Sequence, residues 1–147
     1  MKLTVQHVDG LRFLATAGSN AAVVDAAPED GGAGTALSAP QLFAAAIGAC
    51  VCEFVTNSCR LHDIPLERLE VEVACEELER PRRLGAVDVQ VSIEPPPPEE
   101  MRRRLLGVAK HATLVNTLAR APEVSIRFAE TSPEPAEGAR PESAEGK

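Results

Sequence analysis

Residues Leu42 to Cys52, LFAAAIGACVC, form an unbroken apolar run, and no other stretch restricts the fold as strongly. The run is too long for an ordinary strand and falls short of the roughly 20 apolar residues that span a bilayer. It reads as the middle of a helix packed inside a domain. Its limits are marked on both sides: Ser38 stands three residues before Gln41, the spacing of a capping box, and Pro65 stops the helix beyond His62. The spacing predicts a helix from about Ala39 to His62, buried nearly all round. Phe43, Ile47, Cys50, Phe54, Asn57 and Leu61 would share one face, and Ala45, Ala49, Cys52, Thr56 and Cys59 another.

Short strands precede this helix, over 2–8 and 11–17 with Asp9-Gly10 between them, and then AAVVD. The glycine-rich APEDGGAGTALSA is a loop. After the helix, LEVEVAC and AVDVQVSIE alternate apolar and polar residues, the period of a sheet with one buried face. Pro98 suits the first turn of a second helix, with Glu99 and Glu100 at its positive end and Met101, Leu105, Val108 and Ala112 on one face. TLVNTL then leads to a closing strand, EVSIRF. The order βββ-α-ββ-α-β is that of an α+β domain over residues 1–129. Residues 130–147, made mostly of Pro, Glu, Gly, Ala and Ser, are expected to be a disordered tail.

With only four Phe and no Trp or Tyr, the core must be filled by Ala, Val and Leu. A net charge of −7 argues against nucleic-acid partners, which require clustered Lys and Arg. There is no basic segment followed by an apolar leader, so the chain is expected to be soluble and cytoplasmic, with no membrane partner. In that compartment its four cysteines are free thiols, redox thiols or ligands rather than a disulfide framework.

Helical geometry limits what those cysteines can do. Cys50 and Cys52 lie about 200° apart around the helix, and Cys52 and Cys59 are separated by roughly 10 Å along it. Neither pair meets the geometry of a disulfide. Cys59 and His62 offer two zinc ligands at most, with no second cluster to complete the set. Cys75 falls on the apolar face of its strand and reads as a small core residue.

SAPQLFAAAIGAC, the long helix, LHDIPLERLEVEV, AKHATLVNTL and the closing strand follow one another in an order and spacing that resemble the OsmC/Ohr family, in its OsmC-like branch. LRFLATAGSNAAVVDAAPEDGGAG extends the likeness, which runs from about Leu11 to Phe128. The resemblance implies a long buried central helix, an intertwined homodimer and thiol-dependent reduction of organic hydroperoxides. Carried over by position, the peroxidatic cysteine falls on Cys50. The family's second, resolving cysteine falls on Ala112, and a glutamate that helps hold an arginine over the thiolate falls on Pro40. No Lys or Arg occurs between Arg12 and Arg60.

A peroxidase built on this chain would thus use one cysteine, resolved by an external thiol, with no cofactor and no metal. Cys59 or Cys75 would take the resolving role only if the fold brought one of them to Cys50. Cys50 lies about three turns into its helix, beyond the reach of the dipole, so a cation must come from Lys110, His111, Arg102-Arg103-Arg104 or a partner subunit. The alternative is a noncatalytic OsmC-fold dimer whose cavity binds a small apolar ligand. A metal or redox-sensing module of Cys50, Cys52 and Cys59 is the reading least compatible with helix geometry.

Overall fold

The computed structural model describes residues 1–129. Three strands, β1 (Thr4–Asp9), β2 (Arg12–Ala17) and β3 (Asn20–Asp25), form an antiparallel meander. After a single 3-10 turn at Pro28–Asp30 come α1 (Ala39–Leu61), the antiparallel hairpin β4 (Arg68–Glu79) and β5 (Arg82–Glu94), α2 (Glu99–Lys110) and α3 (Thr113–Ala119).

The helix α1 begins where the sequence places it. The Ser38 backbone N–H donates to Gln41 Oε1 at 2.9 Å, and the Gln41 N–H donates to Ser38 Oγ at 3.4 Å, closing the capping box. At the far end His62 caps the helix and Asp63 turns the chain at φ 51°, two residues before Pro65. By length and a mean hydropathy of 1.6, α1 also meets the measure of a membrane span, although its unbroken apolar run does not. Its buried stripe has a protein partner in β4.

That stripe consists of Ile47, Gly48, Val51, Val55, Ser58 and Cys59, so the expected burial on all sides is not met. Phe43 is 42% exposed, and Ala45, Ala46 and Ala49 are exposed. The reason is architectural: β4 lies beneath α1 and α2 and α3 lie beside it, and the described residues place little over the remaining face. Gly48 orients the stripe. A Cβ there would lie 3.1 Å from Val73 Cγ2 and 3.8 Å from Val71 Cγ1, so the missing side chain is what lets the helix rest on β4.

In the hairpin, Leu69, Val71, Val73 and Cys75 alternate with exposed neighbours as expected, opposite Ile93, Val91, Val89 and Val87. The ladder runs further than the alternation does, to Glu79 opposite Arg82 at the tip. Between the Glu76–Ala86 and Glu77–Leu84 pairs the register shifts and Gly85 is left over as a bulge. A Cβ on Gly85 would approach the Leu78 side chain to 2.7 Å, which explains a glycine inside a strand.

Pro98 is the N-cap of α2, one residue earlier than expected. Leu105, Ala109 and Ala112 are buried and Met101 and Val108 half-buried, confirming the apolar face of α2. EVSIRF departs from expectation. Among the described residues it pairs with no strand, and Val124, Ile126 and Phe128 are exposed. A strand exists only against a neighbouring edge, and this segment finds none among the described residues. The expected tail, 130–147, lies outside the described residues.

At the end of β3, Asp25 is 1% exposed and organises the loop that follows. Its carboxylate accepts the Thr35 N–H at 2.9 Å, the Thr35 hydroxyl at 2.7 Å and the Ala33 N–H at 3.4 Å. These bonds favour the charged form and lower its pKa, the Thr35 N–H contributing most and the Thr35 hydroxyl next. A pKa depressed on folding adds stability above the unfolded value, about 3.9, and that stability is lost as pH falls through the folded value. Asp25→Asn therefore lowers the urea midpoint near neutral pH, and the gap from wild type narrows as the pH is taken below about 4. A gap of constant size between pH 7 and 3 would contradict this role for the carboxylate.

Candidate functional site

Cys50 is half-buried on α1, just beside the stripe that Gly48 seats on β4. With Phe54 it packs against the buried cluster of Val51, Val55, Cys59, Leu105, Ala109 and Ala112. Ala112, the N-cap of α3, is fully buried in that cluster. The two positions singled out by sequence, one on α1 and one at the α2–α3 junction, thus meet at one cluster although 62 positions separate them in the chain. The methyl group of Ala112 fills space there and offers no chemistry.

All four cysteines are free. Burial pushes the Cys52 and Cys59 thiols up from their ordinary range, so both keep their protons near neutral pH. They are packing residues. Cys75 is half-buried on β4, opposite Val87. His62 is exposed at the C-cap while Cys59 is buried, so this pair does not converge on a shared ligand. Among the described residues no three His, Cys, Asp or Glu side chains gather as a metal site.

The candidate cations lie on α2. Arg102 reaches Glu99 at 3.5 Å in an exposed pair, and Lys110 and His111 are exposed at the helix end. Two further arginines, Arg82 and Arg83, which nothing local in the sequence ties to the site, stand at the hairpin tip. Arg82 makes a bidentate pair with Asp30 at 2.8 and 2.9 Å, which ties the tip to the loop before α1. Arg82 and Arg83 also border an open cavity of about 520 Å³ lined by Pro40, Phe43, Leu84, Val87 and Leu118. Pro40 and Phe43 belong to the first turns of α1, so this cavity lies at the end of the helix where Pro40 stands in place of the family's glutamate. A signal existed in the sequence, the basic RPRR stretch, but nothing local indicated that it would fold over α1.

A long apolar helix carrying three free thiols, Cys50 among them, laid on a two-stranded hairpin and flanked by two short helices, defines a small α+β domain. Residues 31–127 match the family model described as OsmC-like protein, and the chain belongs to that family. Solved structures agree on the fold. A Psychrobacter arcticus protein described as an osmotic stress induced and detoxification response protein aligns with TM-score 0.75 at 19% identity, over 80% of this chain and 87% of that one. An OsmC-like protein from Mycoplasma pneumoniae gives 0.72 at 16% identity, over 82% and 87%. The organic hydroperoxide resistance protein OhrB of Bacillus subtilis gives 0.57 at 19% identity, over 82% and 92%. No match was found among curated proteins.

Proposed function

We propose that this chain is a one-cysteine thiol peroxidase that reduces organic hydroperoxides in the cytoplasm, as a homodimer, with Cys50 as its nucleophile. The observation that carries the reading is the meeting of Cys50 and Ala112 at one buried cluster. The resemblance puts the family's resolving cysteine at Ala112, and the presence of Ala112 in the cluster that Cys50 packs against supports this reading. The structural neighbours described as organic hydroperoxide resistance proteins supply the reaction class.

The Cys50 thiolate attacks one oxygen of ROOH. An S–O bond forms, the O–O bond breaks, and the departing alkoxide takes a proton to leave as ROH. Cys50 is then a sulfenic acid. With alanine at position 112, an external thiol attacks that sulfur, releasing water and forming a mixed disulfide. A second external thiol restores Cys50 and leaves as the oxidised disulfide. Neither step calls for a cofactor or a metal. The supporting experiment follows loss of cumene hydroperoxide with dithiothreitol as reductant: catalytic turnover is expected, and peroxide loss no faster than with dithiothreitol alone would overturn the proposal.

Ala112 also motivates a second reading, a noncatalytic OsmC-fold dimer that binds a small apolar ligand. Under that reading the peroxide assay is silent, and the cavity beside Pro40 and Phe43 is the place to look for the ligand.

A further inference from the structure

At the tip of the hairpin the register shift changes which residues share a face. In an unbroken strand Leu84 and Val87, three positions apart, would point to opposite sides of the sheet. Gly85, the extra residue of the bulge, removes that mismatch. Leu84 and Val87 are both half-buried, in line with Val89, Val91 and Ile93 further along β5. Together with Phe43 of α1 and Leu118 of α3 they give the cavity of about 520 Å³ its apolar walls. That volume is in the range of sites that enclose a small molecule.

Two guanidinium groups border this apolar space, and they are not equivalent. Arg82 is held between Asp30 at 2.8 Å and Glu77 at 3.7 Å, so its charge is already compensated. Arg83, exposed at the same rim, forms no ion pair among the described residues. The cavity thus offers an apolar body with one free cation at its mouth, and its complement is a molecule with an apolar chain and one anionic end. A carboxylate suits this mouth better than a phosphate. Its planar head accepts two parallel bonds from a guanidinium, and the nearby Glu77 and Asp30 would repel a second negative charge. Cys50 does not line the cavity; it lies seven positions beyond Phe43, roughly 10 Å along α1.

We infer that this cavity binds an aliphatic monocarboxylate, with its chain between Phe43, Leu84, Val87 and Leu118 and its carboxylate on Arg83. The inference rests on the ligand-binding reading given above for its cavity, and it names the ligand. It holds whether or not Cys50 turns over peroxide.

The test titrates the full-length protein, methyl-labelled at Leu and Val, with octanoate, octan-1-ol and octyl phosphate, followed by nuclear magnetic resonance. Octanoate is expected to shift the methyl signals of Leu84, Val87 and Leu118 and to bind about tenfold more tightly than octan-1-ol, the contribution of a charge-assisted bond. Octyl phosphate is expected to bind more weakly than octanoate. Arg83→Gln should bring octanoate down to the affinity of octan-1-ol and leave octan-1-ol unchanged, a difference that mere loosening of the fold would not produce. Arg60→Gln, near the opposite end of α1, should alter neither. Leu118→Asp, at a position 46% exposed and so tolerant of charge, should abolish binding of both. Equal affinities for octanoate and octan-1-ol at these methyls would remove the carboxylate site and leave the apolar-ligand reading standing, whereas no shift with any of the three would remove both. Arg83→Gln weakening the two ligands alike, tighter binding of octyl phosphate, or shifts confined to other methyl groups would also overturn the assignment.

Discussion

Cys50→Ser brings hydroperoxide turnover down to the rate of the external thiol alone, a loss on the order of a thousandfold or more, as removal of a nucleophile does. Hydroxyl oxygen and thiol sulfur are close in size, so the variant should keep its fold at this half-buried position. The other cysteines divide by environment. Cys52→Ala retains the wild-type rate, because burial keeps the Cys52 thiol protonated and leaves it no part in thiolate chemistry. Cys75→Ala also retains it, because an external thiol performs the resolving step. If Cys75→Ala instead slowed turnover at low reductant and recovered at high reductant, Cys75 would be the resolving thiol and the one-cysteine mechanism would be wrong. Rates measured over a range of dithiothreitol concentrations decide the matter.

Gly48→Val is expected to lower stability by about 2–3 kcal/mol, read from urea midpoints at constant m-value. The first atom of any side chain at 48 stands 3.1 Å from Val73 Cγ2, closer than ordinary van der Waals contact. Val73 is a β-branched residue in a paired strand, so its side chain has little freedom to turn away. Valine adds two methyl groups to that approach and must lift α1 from β4. Gly48→Ala is the informative companion. Alanine gains about 1 kcal/mol in helix propensity over glycine, which offsets the few tenths of an ångström that Val73 must yield. Its midpoint should stay near wild type, and a Gly48→Val midpoint equally close to wild type would mean that the helix does not depend on this approach.

The beginning and end of α1 were legible in the sequence because short-range chemistry sets them. Ser38 and Gln41 form their reciprocal bonds within one turn, and Pro65 closes the helix region locally. The strands of the hairpin were legible where valines alternate with Glu, Asp and Gln. They were not legible in GluGluLeuGluArgProArgArg, where the ladder continues through Glu79 and Arg82 although hydrophobic alternation has ended. There the pairing is inherited from the regular part of the hairpin, with Arg82 reaching Glu77 at 3.7 Å in an exposed pair across the tip.

The buried face of α1 was harder to read. A helix apolar on every side gives no preferred direction, so burial nearly all round was expected, whereas the face bearing Phe43 is exposed among the described residues. A glycine fixed the answer instead, through contact with a strand more than 20 residues away. Cys50 was located correctly on its helix, but its environment depends on α2 and α3, and only the assembled fold brings Ala112 to the same cluster. Asp25 went unnoticed because its partners, Ala33 and Thr35, lie in a loop with no periodicity to interpret. The closing segment was visible as alternation, but among the described residues it pairs with no strand.

Reactivity of the Cys50 sulfur toward a peroxide tests the account most directly. Purified protein is treated with one equivalent of cumene hydroperoxide in the presence of dimedone, which traps sulfenic acids, and is examined by intact mass and peptide mapping. One dimedone adduct, on the peptide holding Cys50 and placed on Cys50 rather than Cys52 by fragmentation, is the predicted result. An unmodified Cys50, or an adduct on another cysteine, would contradict it and direct attention to what the cavity between Pro40 and Leu118 binds.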